Sequence, residues 1–146
     1  MEILNYSLVV LVIAIGLILG RVLAWMAKEE IKAGKKYFLL LQKALFCAVI
    51  FTLMYANKTN AQYTWIGAVI IFAYLAYFKK VNITITYVVL ALAVYLSTKT
   101  DYFLLASSLA FLYGLPTGTL LKDKKFIALN LIVFLVTAAG MFLILK

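Results

Sequence analysis

The chain has 146 residues, is 67% hydrophobic and 13% charged, carries a formal net charge of +9, and has a mean hydropathy of +1.10. A soluble domain is about half apolar and a quarter charged, so this composition excludes a water-soluble fold and asks for a bilayer. At roughly 20 apolar residues per helical span, six hydrophobic runs use nearly the whole chain. They predict one all-α, six-span transmembrane domain over residues 1–146, a compact helical bundle with no soluble domain.

The first run covers about Ile3 to Ala27. It has no basic segment ahead of it and is too long for a cleaved signal peptide, so it reads as a membrane anchor. Gly16, Gly20 and Ala24 lie one turn apart on it. In lipid, such small-residue stripes let two helix backbones approach closely. The simpler reading is contact within the bundle; the other is dimerisation. Arg21 lies about six residues, or ~9 Å, inside the end of this run.

The following loop reads Ala27-Lys28-Glu29-Glu30-Ile31-Lys32-Ala33-Gly34-Lys35-Lys36-Tyr37-Phe38. It suggests a short interfacial helix stopped at Gly34, with Lys35, Lys36, Tyr37 and Phe38 anchoring the second run at the headgroups. Glu29 and Glu30 are the candidate catalytic pair: carboxylates can hold Mg²⁺ together with a substrate phosphate. Adjacent helical residues point about 100° apart, however, and pairing with the loop lysines is the simpler reading.

The second run covers Tyr37 to Ala56, with Lys43 at a depth similar to Arg21 and the lone Cys47 as a packing residue. The triplet Asn57-Lys58-Thr59 matches a glycosylation sequon but carries little weight so close to the membrane. The third run covers Gln62 to Phe78 and the fourth Val81 to Thr98, with Lys79, Lys80 and Asn82 as a tight turn between them. The fifth, Tyr102 to Leu121, contains Gly114-Leu115-Pro116-Thr117-Gly118-Thr119. Proline removes a helical hydrogen bond and kinks a helix, and Thr117 and Thr119 can re-satisfy freed carbonyls. The simpler reading is a structural kink. The sharper one is a helix broken at Gly114, Pro116, Thr117 and Gly118 that lines a polar cavity, as in transporters. The sixth run covers Phe126 to Leu145 and holds Asn130 near its start.

Lysine and arginine set the orientation, because cytoplasmic loops near span ends are enriched in them. Eleven of the 14 (Arg21, Lys28, Lys32, Lys35, Lys36, Lys43, Lys79, Lys80, Lys122, Lys124, Lys125) fall at one side of a six-span chain, and Lys58, Lys99 and Lys146 at the other. Both termini are therefore expected outside a prokaryotic-type plasma membrane. Arg21, Lys43 and Asn130, with Lys35 and Lys36, then form a candidate inner-leaflet site for a phosphate or carboxylate; snorkelling of the long side chains to the headgroups is the plainer account.

Catalytic groups are scarce. There is no His, the commonest general base, and no phosphate loop, CxxC pair or metal-ligand cluster, so neither a metal nor a cofactor is expected. Tyr37-Phe38-Leu39-Leu40 and Tyr102-Phe103-Leu104-Leu105 match at a spacing of 65 residues. A true repeat would make two inverted three-helix halves, a transporter arrangement. Three functions stay open. The first is a non-catalytic subunit or binding protein engaging a partner or anionic lipid through its basic face. The second is a small transporter or channel. The third is a lipid-phosphate enzyme using Glu29 and Glu30. Membrane lipids and a homodimer or larger membrane complex are the expected partners; nucleic acid is not.

Overall fold

The computed structural model describes residues 3–57, 66, 67, 69, 71, 73, 82–121 and 123–144. Among these the protein is all-helical, with five helices and no strand: α1 Ile3–Met26, α2 Lys28–Ala56, α3 Ile83–Ser97, α4 Phe103–Leu120 and α5 Lys124–Ile144. In hydrocarbon each backbone group must find its partner within the chain, which long apolar runs achieve as helices. Four of the helices (α1, α2, α4 and α5) are long and apolar enough to cross a membrane. The shorter α3 has 15 residues. Most of the third run, the Lys79–Lys80 turn and most of the sequon fall outside the described residues.

Polar side chains set the starts of two helices. Asn82 accepts the Thr84 amide at 3.1 Å, and Asp123 accepts the Lys125 amide at 2.9 Å. Each satisfies an N–H that the first helical turn leaves without a partner. Within the apolar runs, Thr52, Ser107, Ser108 and Thr137 bond back to the carbonyl four residues earlier, which hides their hydroxyls from lipid.

Side-chain contacts give the relative directions. Along α1 and α4, Leu8 and Val12 share a groove with Leu104 and Ser108, Gly16 meets Phe111, and Arg21 meets Leu121, so the two helices run parallel. Gln42 bonds Thr117, Phe46 packs on Tyr113, and Tyr55 packs on Tyr102, so α2 runs against α4. Tyr87 packs on Phe134, and Tyr6 packs on both Tyr95 and Phe142. Hence α3 and α5 run with α2. The Tyr6 hydroxyl also donates to the Ala138 carbonyl at 3.1 Å, tying α1 to α5.

The closest packing is between α1 and α4. A Cβ on Gly16 would stand 2.5 Å from the Phe111 carbonyl oxygen, and one on Gly114 would stand 2.7 Å from the Leu17 nitrogen. At Gly20 and Gly118 the obstacles are the Leu115 and Leu17 carbonyl oxygens. The two small-residue pairs therefore interlock with each other inside one chain. Cys47 is buried in the core.

Two local expectations are corrected. No helix stops at Gly34. Instead α2 starts at Lys28 and runs through it to Ala56; a Cβ on Gly34 would make ordinary contact with the Phe38 ring of the same helix, at 3.6 Å. The break between α1 and α2 is the single residue Ala27 (φ −116°, ψ 48°). Its amide still bonds Leu23 and its carbonyl still accepts Ile31. Nor is α4 broken at Gly114, Pro116, Thr117 and Gly118; it continues to Leu120. Pro116 sits in the last turns, where one missing bond costs little continuity. The Thr117 and Thr119 hydroxyls bond the Tyr113 and Pro116 carbonyls, not the Leu112 carbonyl that Pro116 leaves without its amide.

Candidate anion-binding cleft

The C-terminal ends of α1 and α4 and the N-terminal ends of α2 and α5 meet at one end of the bundle. Because α1 and α2 join through one residue, they diverge as a V, and the end of α4 lies between its arms. The result is a cleft of about 810 Å³ lined by Arg21, Val22, Ala24, Trp25, Lys28, Ile31, Lys32, Lys35, Thr119, Leu120 and Lys124. Among the described residues five cations and one hydroxyl line it, and no acidic side chain does.

Helical spacing explains the lysines. Lys28, Ile31, Lys32 and Lys35 follow the i, i+3, i+4, i+7 pattern of one helix face, and that face of α2 turns to the cleft. Glu29 and Glu30 lie off that face, exposed, in the first turn of α2. There their negative charge favours the helix start. Arg21 is half-buried and donates from its guanidinium to the Leu121 carbonyl at 2.9 Å. That bond orients the side chain along α4 and leaves most of its five N–H donors for other partners.

The inner-leaflet group expected from depth is divided by the structure. Arg21 and Lys35 line the cleft with Lys28, Lys32 and Lys124; Lys36, Lys43 and Asn130 do not. Lys36 is exposed on another face of α2, and Lys43 is half-buried further along it. Asn130 is 1% exposed and donates to the Phe126 carbonyl of its own helix at 2.7 Å. Its side-chain oxygen is buried without a hydrogen-bond partner among the described residues. Ala24 lines the cleft, one turn beyond the glycine interlock.

A second polar feature, between α2, α3 and α4, was not evident from the sequence. The Gln42 amide donates to the hydroxyls of Thr117 at 2.9 Å and Tyr113 at 3.3 Å. The Thr86 hydroxyl donates to the Ile83 carbonyl at 2.7 Å and lies 2.9 Å from the Tyr113 hydroxyl. Thr86 has one proton to give, so Tyr113 is the donor in that pair. Beside this network the buried Tyr87 hydroxyl lies next to Thr117 without a hydrogen bond of ordinary length among the described residues, and its ring packs edge-on against Tyr113 at 5.7 Å. The available signal was Gln42, a polar amide in an apolar run. The tyrosines gave none, since their ring and hydroxyl pull the reading in opposite directions.

Among the described residues no group of three or more His, Cys, Asp or Glu is placed to hold a metal ion. Compared with protein-family models, curated proteins and solved structures, the chain matches none.

Proposed function

We propose that this is a membrane-embedded binding protein that takes an anionic headgroup in its basic cleft, at the cytoplasmic face of a six-span, N-out and C-out bundle in the plasma membrane. The observation that carries the reading is the convergence of Arg21, Lys28, Lys32, Lys35 and Lys124 on one cleft whose lining, among the described residues, includes no acidic side chain. Like charges brought together repel, and an anion between them removes that cost while gaining charge-assisted hydrogen bonds. The membrane setting places such a cleft where anionic lipid headgroups concentrate.

The six-span topology is supported from two sides. Asn57 follows the end of α2 that lies by Tyr102, whereas Asn82 precedes the start of α3 at the opposite end of the bundle, as a further span between them requires. Ile66, Gly67, Val69, Ile71 and Ala73 are helical, Ile71 packs on the core, and a Cβ on Gly67 would touch Met54. Lys99 lies at the end of the bundle away from the cleft, as the positive-inside rule asks of an outer loop. The enzyme reading loses ground because Glu29 and Glu30 do not line the cleft, and the broken-helix transporter reading because α4 is continuous.

Binding to the folded state raises stability, which gives a direct test. Phosphatidic acid or phosphatidylglycerol added to detergent-purified protein should raise its melting temperature more than phosphatidylcholine does. The difference should vanish in the double variant Arg21→Ala, Lys28→Ala. Equal stabilisation by neutral and anionic lipid would overturn the proposal.

A further inference from the structure

We infer that the occupant of the basic cleft is a lipid phosphate, held as an amphiphile with one hydrocarbon chain lying in the seam between α1 and α5. The inference rests on the anion-binding reading above and names its ligand. Two observations carry it.

The first is that the cleft walls are mixed. Beside the five cations stand Val22, Trp25, Ile31 and Leu120. A free phosphate gains nothing from such walls, whereas a glycerophosphate or prenyl phosphate presents an apolar part next to its anionic head. The second is an apolar cavity of about 360 Å³ between α1 and α5, lined by Leu11, Val10, Leu135 and Phe142 among others. It shares one face of α1 with the cleft. At about 100° per residue, Ser7, Leu11, Ile18, Val22 and Trp25 fall within about 60° of one another. Ser7 and Leu11 line the cavity, and Val22 and Trp25 line the cleft. Ile18 lies between them, 47% exposed. From Val22 to Leu11 the helix rises about 16 Å, close to half of a ~30 Å hydrocarbon core. One lipid tail hanging from the cleft therefore reaches the cavity. On the α4 side a groove of about 430 Å³ lies by Leu8 and Val12, but the glycine contact at Gly16 and Gly20 separates it from the cleft, so the α5 side is the continuous course for a chain.

The test places a fluorophore in the seam. In a Trp25→Phe, Trp65→Phe background, Ile18→Trp introduces an indole on the seam face and Leu19→Trp one at the same depth, about 100° around the helix. Leu19 is also lipid-exposed, at 42%. The proteins are reconstituted in phosphatidylcholine nanodiscs containing a small fraction of chain-brominated phosphatidic acid. The expected result is several-fold stronger quenching at position 18 than at 19. Arg21→Ala should abolish that excess, whereas excess inorganic phosphate should leave it in place. Equal quenching at the two positions would overturn the chain assignment. If phosphatidic acid then still raised the melting temperature in an Arg21-dependent way, the cleft would stand as an anion site without the seam. If inorganic phosphate stabilised the protein as well as phosphatidic acid does, the ligand would be a soluble phosphate and the inference would fail. If neither stabilised it, the cleft reading itself would fall.

Discussion

At the residue scale, the sharpest constraints are glycines pressed against backbone. Gly20 and Gly118 have no room for a methyl group because carbonyl oxygens of the facing helix occupy it. Backbone cannot step aside as a flexible side chain can, so Gly20→Ala must push α1 and α4 apart, at a cost of about 1–3 kcal/mol. Gly140 has nothing within 4 Å of its Cβ position. Gly140→Ala should instead stabilise by about 0.5–1 kcal/mol, the helical preference of alanine over glycine. Unfolding titrations in mixed micelles would read the opposite signs. The tyrosines make a similar pair. Tyr113→Phe removes a hydroxyl bonded to both Gln42 and Thr86 and should cost about 1 kcal/mol. Tyr87→Phe removes one that is buried beside Thr117 without a hydrogen bond of ordinary length among the described residues and should cost less than Tyr113→Phe, since a poorly satisfied buried group carries much of its desolvation penalty unrelieved. A Tyr87→Phe as costly as Tyr113→Phe would show that its hydroxyl is fully bonded, through Thr117 or a buried water.

At the scale of elements, α2 shows what the sequence made legible and what it did not. The apolar run from Tyr37 to Ala56 was plain, and so were the four lysines before it. That they belong to the same helix was not, because a glycine between charged residues reads equally as a stop and as a tolerated interior position. The stop needs the chain to turn into the left-handed region after it, and here the helix continues. The prediction that follows is that Gly34→Ala stabilises the protein by about 0.5–1 kcal/mol, measured by the same titration; a loss of stability would mean that the residue serves a turn. The glycine pairs were visible as stripes, but spacing alone could not say which helix each one meets. Depth along the chain grouped Arg21 with Lys43 and Asn130; it carries no information about direction around a helix, and Lys43 and Asn130 do not line the cleft that Arg21 lines. The i, i+3, i+4, i+7 spacing of Lys28, Ile31, Lys32 and Lys35 held that information. It becomes readable only once α2 is known to begin at Lys28.

At the scale of the whole molecule, charge and helix direction describe the same asymmetry. The end where α1 and α4 finish and α2 and α5 begin carries Arg21, Lys28, Lys32, Lys35, Lys36, Lys124 and Lys125, while Lys99 lies at the other. In a Cys47→Ser background, a cysteine at Lys32 should react with a membrane-impermeant maleimide only after the cells are opened, and one at Lys99 should react in intact cells. The reverse pattern would invert the topology and place the cleft outside. Binding of an anionic lipid in the cleft is read out by native mass spectrometry of protein released from mild detergent. The wild-type protein should carry adducts with the mass of an anionic phospholipid or another lipid phosphate, lost in Arg21→Ala, Lys28→Ala. A wild-type protein that emerges free of lipid, or one whose adducts survive both substitutions, would contradict it.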